Sequence, residues 1–139
     1  TNALACILEE GSIIYAVDKA LQRFSEYIGN NVSIHFLQVD FVNENLPYSN
    51  LDGILMANSL HYVSDKNSFI KKAERCLSAE KRFIIVEYDT MQANQWVPYP
   101  LDFTCLKKLF KVLGYKSIEK LEQLPSTLGK VNIYAALVQ

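Results

Sequence analysis

Short apolar runs alternate along the chain with stretches in which apolar residues recur at helical spacing. Glycine or asparagine stands at most of the boundaries between them, as is typical of turns. Buried strands are predicted at residues 12–17, 32–39, 51–57 and 82–88. Helices are predicted before Gly11, before Gly29, after Asp65 and after Asp102. This alternation is typical of a doubly wound α/β fold, with a mostly parallel sheet and helices on both of its faces.

The C-terminal part of the sequence follows a different pattern. Residues 115–121 and 131–138 predict two further strands, and the loop between them contains Pro125 and Gly129. Because no helix separates these strands, we expect them to pair antiparallel at one edge of the sheet. The chain has 139 residues, of which 50% are hydrophobic, and that is enough for one core. We therefore predict a single domain over residues 1–139.

Composition and charge argue against several kinds of binding partner. The 14 basic and 15 acidic residues give a net charge of −1, which argues against nucleic acid as a partner. No apolar run approaches the ~18 residues that a membrane span requires. The three cysteines are widely spaced and form no CxxC pair, so we expect free thiols in a reducing, cytoplasmic compartment. The histidines and cysteines also lack the spacing of metal ligands, and no metal is expected.

Polar residues follow three of the predicted strands at the point where each strand ends. Asp18 follows the first strand, Asp40 and Phe41 follow the second, and Asn58 follows the third. In an open α/β sheet, ligands bind outside the carboxyl ends of the strands. Asp and Asn also cap helices in this position, and for Asp18 alone the two interpretations are about equal. The coincidence over three strands favours a binding site.

The residue types at these positions suit an adenosine. A carboxylate at Asp18 can accept hydrogen bonds from both hydroxyls of a ribose, as the acidic residue of dinucleotide folds does. A carboxylate at Asp40 can accept from the exocyclic amine of adenine, while the aromatic ring of Phe41 meets the base. We therefore predict that Asp18, Asp40 and Phe41 bind an adenosine-containing cofactor.

Several segments resemble, in order, the motifs of class I S-adenosylmethionine-dependent methyltransferases. They are IIYAVDK at 13–19, LQVDF at 37–41 and LDGILMANSLHY at 51–62. The later segments AERCL at 73–77 and RFIIVEY at 82–88, and the final strand pair after Gly114, resemble the same family. The resemblance implies a Rossmann-like methyltransferase fold and S-adenosylmethionine as the cofactor. It assigns the ribose to Asp18 and the adenine to Asp40 with Phe41.

The resemblance also assigns roles to the segment that follows the third strand. Residues 58–62 would line the junction between the methionine end of the cofactor and the substrate, with Asn58 and Ser59 on the cofactor side. His61 would be a general base if the methyl acceptor must lose a proton, since its unperturbed pKa of ~6.5 is near physiological pH. A packing or cofactor-flanking role for His61 is weighed somewhat more heavily.

Three aromatic residues are predicted to lie on the substrate side. Tyr62, Trp96 and Tyr99 could shape an apolar pocket over a small-molecule substrate or attract a cationic one. In the alternative interpretation, Trp96 only covers the rim of the sheet, and the prolines around Tyr99 stiffen the connection. We slightly prefer the substrate-lining role, because in the family this loop follows the strand next to the reaction centre.

The sequence departs from the family pattern at its start. The family begins with a strand and a Gly-rich turn, whereas the five glycines here form no GxG. We expect a gap between the strands that begin at Ile13 and Leu51, and weak or absent cofactor binding by these 139 residues alone. The chain could be a fragment of an intact enzyme or a degenerate module that has lost cofactor binding. In a third explanation a partner, as in a homo-oligomer, covers the open strand edges.

The leading functional prediction is thus an S-adenosylmethionine-dependent methyltransferase, or a fragment of one, that acts on a small molecule. The alternative is a non-catalytic scaffold or regulatory module with the same fold. A nicotinamide-dependent oxidoreductase is weaker: Asp18 also suits that ribose, but the segment at 58–62 and the terminal antiparallel pair fit methyltransferases better.

Overall fold

The computed structural model describes residues 1–23, 31–126 and 131–139, together with the backbone of 27–28. It divides the chain into two compact units, Thr1–Asn45 and Leu46–Gln139, and each is described by itself. The prediction of a single domain over residues 1–139 stays a prediction.

The first unit is built on a three-stranded mixed sheet. Its elements are α1 (Asn2–Ala5), β1 (Ile13–Asp18), β2 (Tyr27–Ile28) and β3 (Val32–Gln38). The strand order is β1-β3-β2, with β1 parallel and β2 antiparallel to β3. Alternate residues of both long strands are buried, so that one face of the sheet forms the core. That core consists of Ala5, Ile14, Ala16, Val32 and Ile34.

Two predicted helices of this unit differ from the structure. The helix expected before Gly11 is limited to Asn2–Ala5, although Gly11 does adopt the left-handed conformation, with φ of 79°. The helix expected before Gly29 is wrong where it is described, since 21–23 are irregular and Tyr27–Ile28 is a strand. Pairing with β3 overrides the helical spacing here, and aromatic and β-branched residues favour that outcome. Phe24 lies outside the described residues.

The second unit contains a four-stranded mixed sheet with two helices. Its elements are β4 (Ile54–Ala57), α2 (Lys66–Ala73), β5 (Phe83–Tyr88), α3 (Phe103–Val112), β6 (Ile118–Pro125) and β7 (Asn132–Val138), with 3-10 turns at Leu60–Tyr62 and Glu74–Cys76. The order is β4-β5-β7-β6. Strand β5 is parallel to β4 and antiparallel to β7, and β6 and β7 form the expected antiparallel pair.

The helices of this unit begin where the sequence predicts. The side chain of Asp65 accepts a hydrogen bond from the amide of Ser68 at 3.0 Å, and α2 follows it. Asp102 accepts from the amide of Cys105 at 2.7 Å at the start of α3. Both are N-cap bonds, which satisfy amides that the first turn of a helix leaves without a partner.

One face of β5 forms the centre of this unit. Phe83 and Ile85 are buried, and the ring of Phe83 lies 5.5 Å from that of Phe110 on α3. Glu87 lies on the same face of β5 as Phe83 and Ile85, and it is also buried. A carboxylate on this apolar face is unusual, because a buried charge is costly unless it is hydrogen-bonded.

Four strands have a sheet neighbour on one side only, as far as the described residues go: β1 and β2 in the first sheet, and β4 and β6 in the second. Of these, β1 and β4 are the two strands beside the predicted gap. Within the described ranges, no helix combines the length and the apolar character needed to cross a bilayer.

Candidate functional site

The carboxylate of Asp18 lies at the end of β1 and is partly exposed. One of its oxygens accepts a hydrogen bond from the amide of Ala20 at 2.8 Å, which is the turn that Asp commonly forms with the backbone two residues on. A carboxylate has about four acceptor positions. The turn therefore leaves Asp18 the capacity to accept further hydrogen bonds.

Asp40 lies at the same end of this sheet as Asp18. The amide of Val39 donates to the carbonyl of Asp18 at 3.0 Å, and the side chain of Gln38 donates to the carbonyl of Lys19 at 3.1 Å. These two bonds fasten the segments that follow β1 and β3 to each other. The predicted ribose and adenine residues of the first unit are therefore neighbours.

The carboxylate of Asp40 is engaged by its own turn. It accepts from the amide of Val42 at 3.1 Å, the amide of Asn43 at 3.3 Å and the side-chain amide of Asn43 at 3.0 Å. The hydrogen bond from the Asn43 side chain is the main cause that holds the pKa of Asp40 below its usual value. Asp40 is thus ionised at neutral pH, and the adjacent Phe41 is partly buried.

In the second unit, the chain turns sharply at the end of β4. Asn58 is exposed and has a positive φ of 51°, a left-handed conformation that Asn tolerates better than most residues. Its amide donates to the carbonyl of Val86 on β5 at 2.8 Å. The 3-10 turn at Leu60–Tyr62 follows directly, so that the predicted site segment is a tight turn attached to β5.

The buried carboxylate of Glu87 holds this turn by hydrogen bonds. One carboxylate oxygen accepts hydrogen bonds from three consecutive amides, those of Ser59, Leu60 and His61, at 3.0, 2.8 and 3.2 Å. The other oxygen lies 2.6 Å from Nδ1 of His61. Glu87 is 1% exposed and His61 is 2% exposed. These bonds compensate the burial of the carboxylate.

Lys66 fastens a second segment to the turn. Its ammonium donates to the carbonyl oxygens of Val63 and Tyr99, both at 2.8 Å, and the amide of Tyr99 donates to the carbonyl of His61 at 3.0 Å. Burial lowers the pKa of Lys66, and the negative charge of Glu87 opposes that shift. The loop that contains Tyr99 is therefore held beside the His61 turn.

The predicted substrate-lining aromatic residues are large exposed side chains. Tyr62 is 51% exposed, Tyr99 is 47% exposed and Trp96 is 71% exposed. The ring of Tyr62 lies 4.3 Å from that of His61. Tyr99 contacts His61 through the hydrogen bond from its backbone amide to the carbonyl of His61. The amide of Trp96 is bound by the side chain of Asn94 at 2.8 Å. The structure thus brings Tyr62 and Tyr99 to His61 and gives Trp96 a contact within its own loop.

Sequence reasoning did not assign a site role to Glu87 or Lys66. A signal for Glu87 was present, because it alternates with Phe83 and Ile85 on β5 and so had to lie on the apolar face. Lys66 gave no such signal. It is the first residue of α2, where a lysine is ordinarily solvated.

Two solved SAM-dependent methyltransferases and a protein solved with SAH share the fold of this chain. A SAM-dependent methyltransferase from Thermotoga maritima, described as a possible histamine N-methyltransferase, is 16% identical, with 98% of this chain and 84% of that one covered at a TM-score of 0.58. One from Leishmania major is 18% identical, with coverages of 76% and 46% and a TM-score of 0.55. DhpI, solved with SAH, is 16% identical, with coverages of 76% and 54% and a TM-score of 0.57.

These likenesses confirm the predicted Rossmann-like α/β fold class. The chain spans about half the length of two of them, 46% of the Leishmania protein and 54% of DhpI. No curated protein matches the sequence. The family model described as a methyltransferase domain matches residues 1–85, which is more than half of the chain and includes β1, β3 and the His61 turn. The chain belongs to the methyltransferase domain family.

Proposed function

We propose that the protein transfers a methyl group from S-adenosylmethionine to a small-molecule acceptor. The observation that carries this proposal is the family match over residues 1–85, which includes every acidic and amide residue that we associate with the cofactor. The cofactor supplies an electrophilic methyl group on a sulfonium, and such a transfer depends mainly on proximity and alignment. The residues of the chain would therefore act chiefly by binding and orienting.

The first unit contains the residues that would bind the adenosine part of the cofactor. Asp18 would accept hydrogen bonds from the ribose hydroxyls, for which its partly exposed carboxylate retains acceptor positions. Asp40 and Phe41 would flank the adenine at the same end of the sheet. The Asp40 carboxylate already accepts three hydrogen bonds from Val42 and Asn43, so an adenine amine would donate to the remaining acceptor position.

The segment after β4 would meet the methionine end of the cofactor. Asn58 is exposed and its side-chain amide offers both donors and an acceptor. The amide of Ser59 is occupied by Glu87 and its carbonyl accepts from the amide of Tyr62 at 3.2 Å. The hydroxyl of Ser59 is therefore the group through which this residue would contact a ligand.

The acceptor would be held by aromatic side chains. Tyr62 and Tyr99 are half-exposed and are both tied to His61, and Trp96 is exposed in the loop that leads to Tyr99. Aromatic faces of this kind bind apolar molecules and organic cations. A small apolar or cationic molecule is therefore the acceptor class that we propose. His61 would serve as general base through Nε2.

A binding experiment tests the proposal. Calorimetry of the intact gene product with S-adenosylhomocysteine, the product form of the cofactor, should give a saturable heat, while NAD should give none. Saturable binding of NAD without binding of S-adenosylhomocysteine would contradict the proposal and favour a nicotinamide-dependent enzyme. The absence of heat and of a thermal shift with either ligand would favour the non-catalytic alternative.

Two observations favour that alternative as a second candidate, a scaffold or regulatory module. The Asp40 carboxylate accepts three hydrogen bonds from its own turn, and His61 is almost completely buried. Under this second candidate, the unpaired sides of β1 and β4 would be covered by a partner, for which a homo-oligomer is one form. The measurement that separates the two candidates is the calorimetry described above.

A further inference from the structure

We propose that Glu87 is a positioning residue that fixes His61 in one tautomer and presents the lone pair of Nε2 to an acceptor bearing an N–H or O–H group. This inference rests on the proposed function, since it names the acceptor chemistry of the same site. It begins with the buried carboxylate of Glu87, to which no family motif or sequence prediction assigned a role.

The hydrogen bonds of Glu87 determine which ring nitrogen holds the proton. One carboxylate oxygen is occupied by the three amides of residues 59–61. The other is 2.6 Å from Nδ1 of His61, a short distance typical of a charge-assisted bond. An ionised carboxylate has no proton to donate, so the ring must donate through Nδ1. In the neutral imidazole, Nε2 is then unprotonated and is the acceptor.

The direction of Nε2 follows from the shape of the ring. The two nitrogens of an imidazole point to different sides, so that Nε2 faces away from the buried carboxylate when Nδ1 faces towards it. The ring is held in that orientation by Tyr62, whose ring lies 4.3 Å away, and by Tyr88 at 6.1 Å. Two hydrogen bonds fix the backbone of His61. Its amide donates to the carboxylate of Glu87, and its carbonyl accepts from the amide of Tyr99. The imidazole therefore has little freedom to flip.

This arrangement suits an acceptor that loses a proton on methylation. The nitrogen or oxygen of the acceptor forms a bond to the methyl carbon as the carbon–sulfur bond breaks and its electron pair stays on sulfur. The proton released by the acceptor passes to Nε2 of His61. The resulting imidazolium donates through Nδ1 to Glu87, whose negative charge offsets the new positive charge. Amines and hydroxyl compounds fit this step, whereas tertiary amines and thioethers have no proton to give.

The tautomer can be measured directly by NMR of the ring nitrogens. His35→Gln removes the other of the two histidines in these 139 residues. The ring 15N signals of the intact gene product that disappear on the further substitution His61→Gln then report the two nitrogens of His61 at pH 8. We expect a protonated Nδ1 and an unprotonated Nε2. In Glu87→Gln, the side-chain oxygen can still accept from the three turn amides, but its NH2 group faces Nδ1. The tautomer should therefore reverse, which a residue with a merely structural role would not cause.

The reactivity of Nε2 provides a second measurement. Diethyl pyrocarbonate acylates an unprotonated imidazole nitrogen, and mass spectrometry locates the product at His61. We expect slow modification of the folded His35→Gln protein, and modification reduced roughly tenfold in Glu87→Gln because the reversed tautomer places the ring proton on Nε2. Glu80→Gln, which neutralises an exposed acid of the same unit, should leave the rate unchanged.

The inference is overturned if His61 holds its proton on Nε2, if both nitrogens are protonated at pH 8, or if His61 reacts only after unfolding. The first two outcomes are read from the unsubstituted Glu87 protein, so a failure of Glu87→Gln to fold does not prevent the test. Binding of S-adenosylhomocysteine is measured on the same samples. The expected tautomer without cofactor binding would contradict the proposed function alone, and cofactor binding with the opposite tautomer would contradict only this inference.

Discussion

The ammonium of Lys66 donates a hydrogen bond to the backbone oxygen of Tyr99 at 2.8 Å, across 33 residues of sequence. The same ammonium lies 5.7 Å from the centre of the Tyr99 ring, within the range of a cation–π contact. One lysine at the start of α2 therefore holds the loop that contains the exposed aromatic residues. This contact makes Lys66 a structural determinant of the predicted substrate side.

Replacing Lys66 with methionine should loosen that loop. The substitution keeps most of the side-chain volume and removes both hydrogen bonds to Val63 and Tyr99, so we expect a loss of about 1–2 kcal/mol in the free energy of unfolding. Urea unfolding followed by the fluorescence of Trp96, the one tryptophan of the chain, measures it. Lys71→Met, on the exposed side of α2, is the control. Equal effects of the two substitutions would contradict the role of Lys66.

Two buried tyrosines should make the protein lose stability at alkaline pH. Tyr115 donates its hydroxyl proton to Glu74 at 2.8 Å, and Tyr134 donates to the carbonyl of Leu101 at 2.9 Å. Burial raises the pKa of both above the ordinary value. Because the unfolded tyrosines lose their protons near pH ~10, the stability is fully present below that pH and is lost as the pH rises towards the folded-state values.

The expected slope is a fall of up to about 1.4 kcal/mol per pH unit for each tyrosine above pH ~10. Urea unfolding at a series of pH values from about 8 to 11 measures the slope. Tyr115→Phe and Tyr134→Phe should each reduce the slope of the unfolding free energy against pH by the contribution of one tyrosine. If neither substitution changes the slope, other groups cause the alkaline loss and the assignment is wrong.

The end of α3 depends on a glycine in the left-handed conformation. Gly114 has a φ of 95°, and no atom lies within 4 Å of the position that a Cβ would occupy. Any effect of Gly114→Ala therefore comes from the backbone, and we expect a destabilisation of about 1–2 kcal/mol. Gly53→Ala is the matched control: φ at Gly53 is not in that region, and its Cβ would meet the Arg82 carbonyl at an ordinary 3.4 Å. Thermal unfolding should separate the two variants.

Local signals account for the parts of the fold that the sequence predicted. Asp65 and Asp102 each stand before an apolar helical period and each makes the N-cap bond. The β-branched run that contains Ile84 and Ile85 forms β5, an inner strand of the second sheet. The strand at Tyr27–Ile28 was missed because its partners Ser33 and Val32 stabilise it from outside the local pattern.

The candidate site shows the same division between local and long-range information. The positions of Asp18, Asp40 and Asn58 could be read from the sequence, because each lies at the end of its strand or within two residues of it. The bonds of Glu87 to the His61 turn span 26 to 28 residues, and the bond of Lys66 to Tyr99 spans 33. No local spacing encodes such contacts, since they depend on β5 and the loop after it being placed beside the turn.

The central claim, that Asp18 helps to bind the adenosine of S-adenosylmethionine, is tested most directly by one calorimetric comparison. Asp18→Asn keeps an oxygen that can accept from Ala20 and removes the charge, and Glu10→Gln removes an exposed charge of the same unit. In the intact gene product, we expect Asp18→Asn to weaken S-adenosylhomocysteine binding roughly tenfold or more, because hydrogen bonds to a charged acceptor are stronger. Glu10→Gln should leave the affinity unchanged. Equal affinities of the two variants would contradict the account.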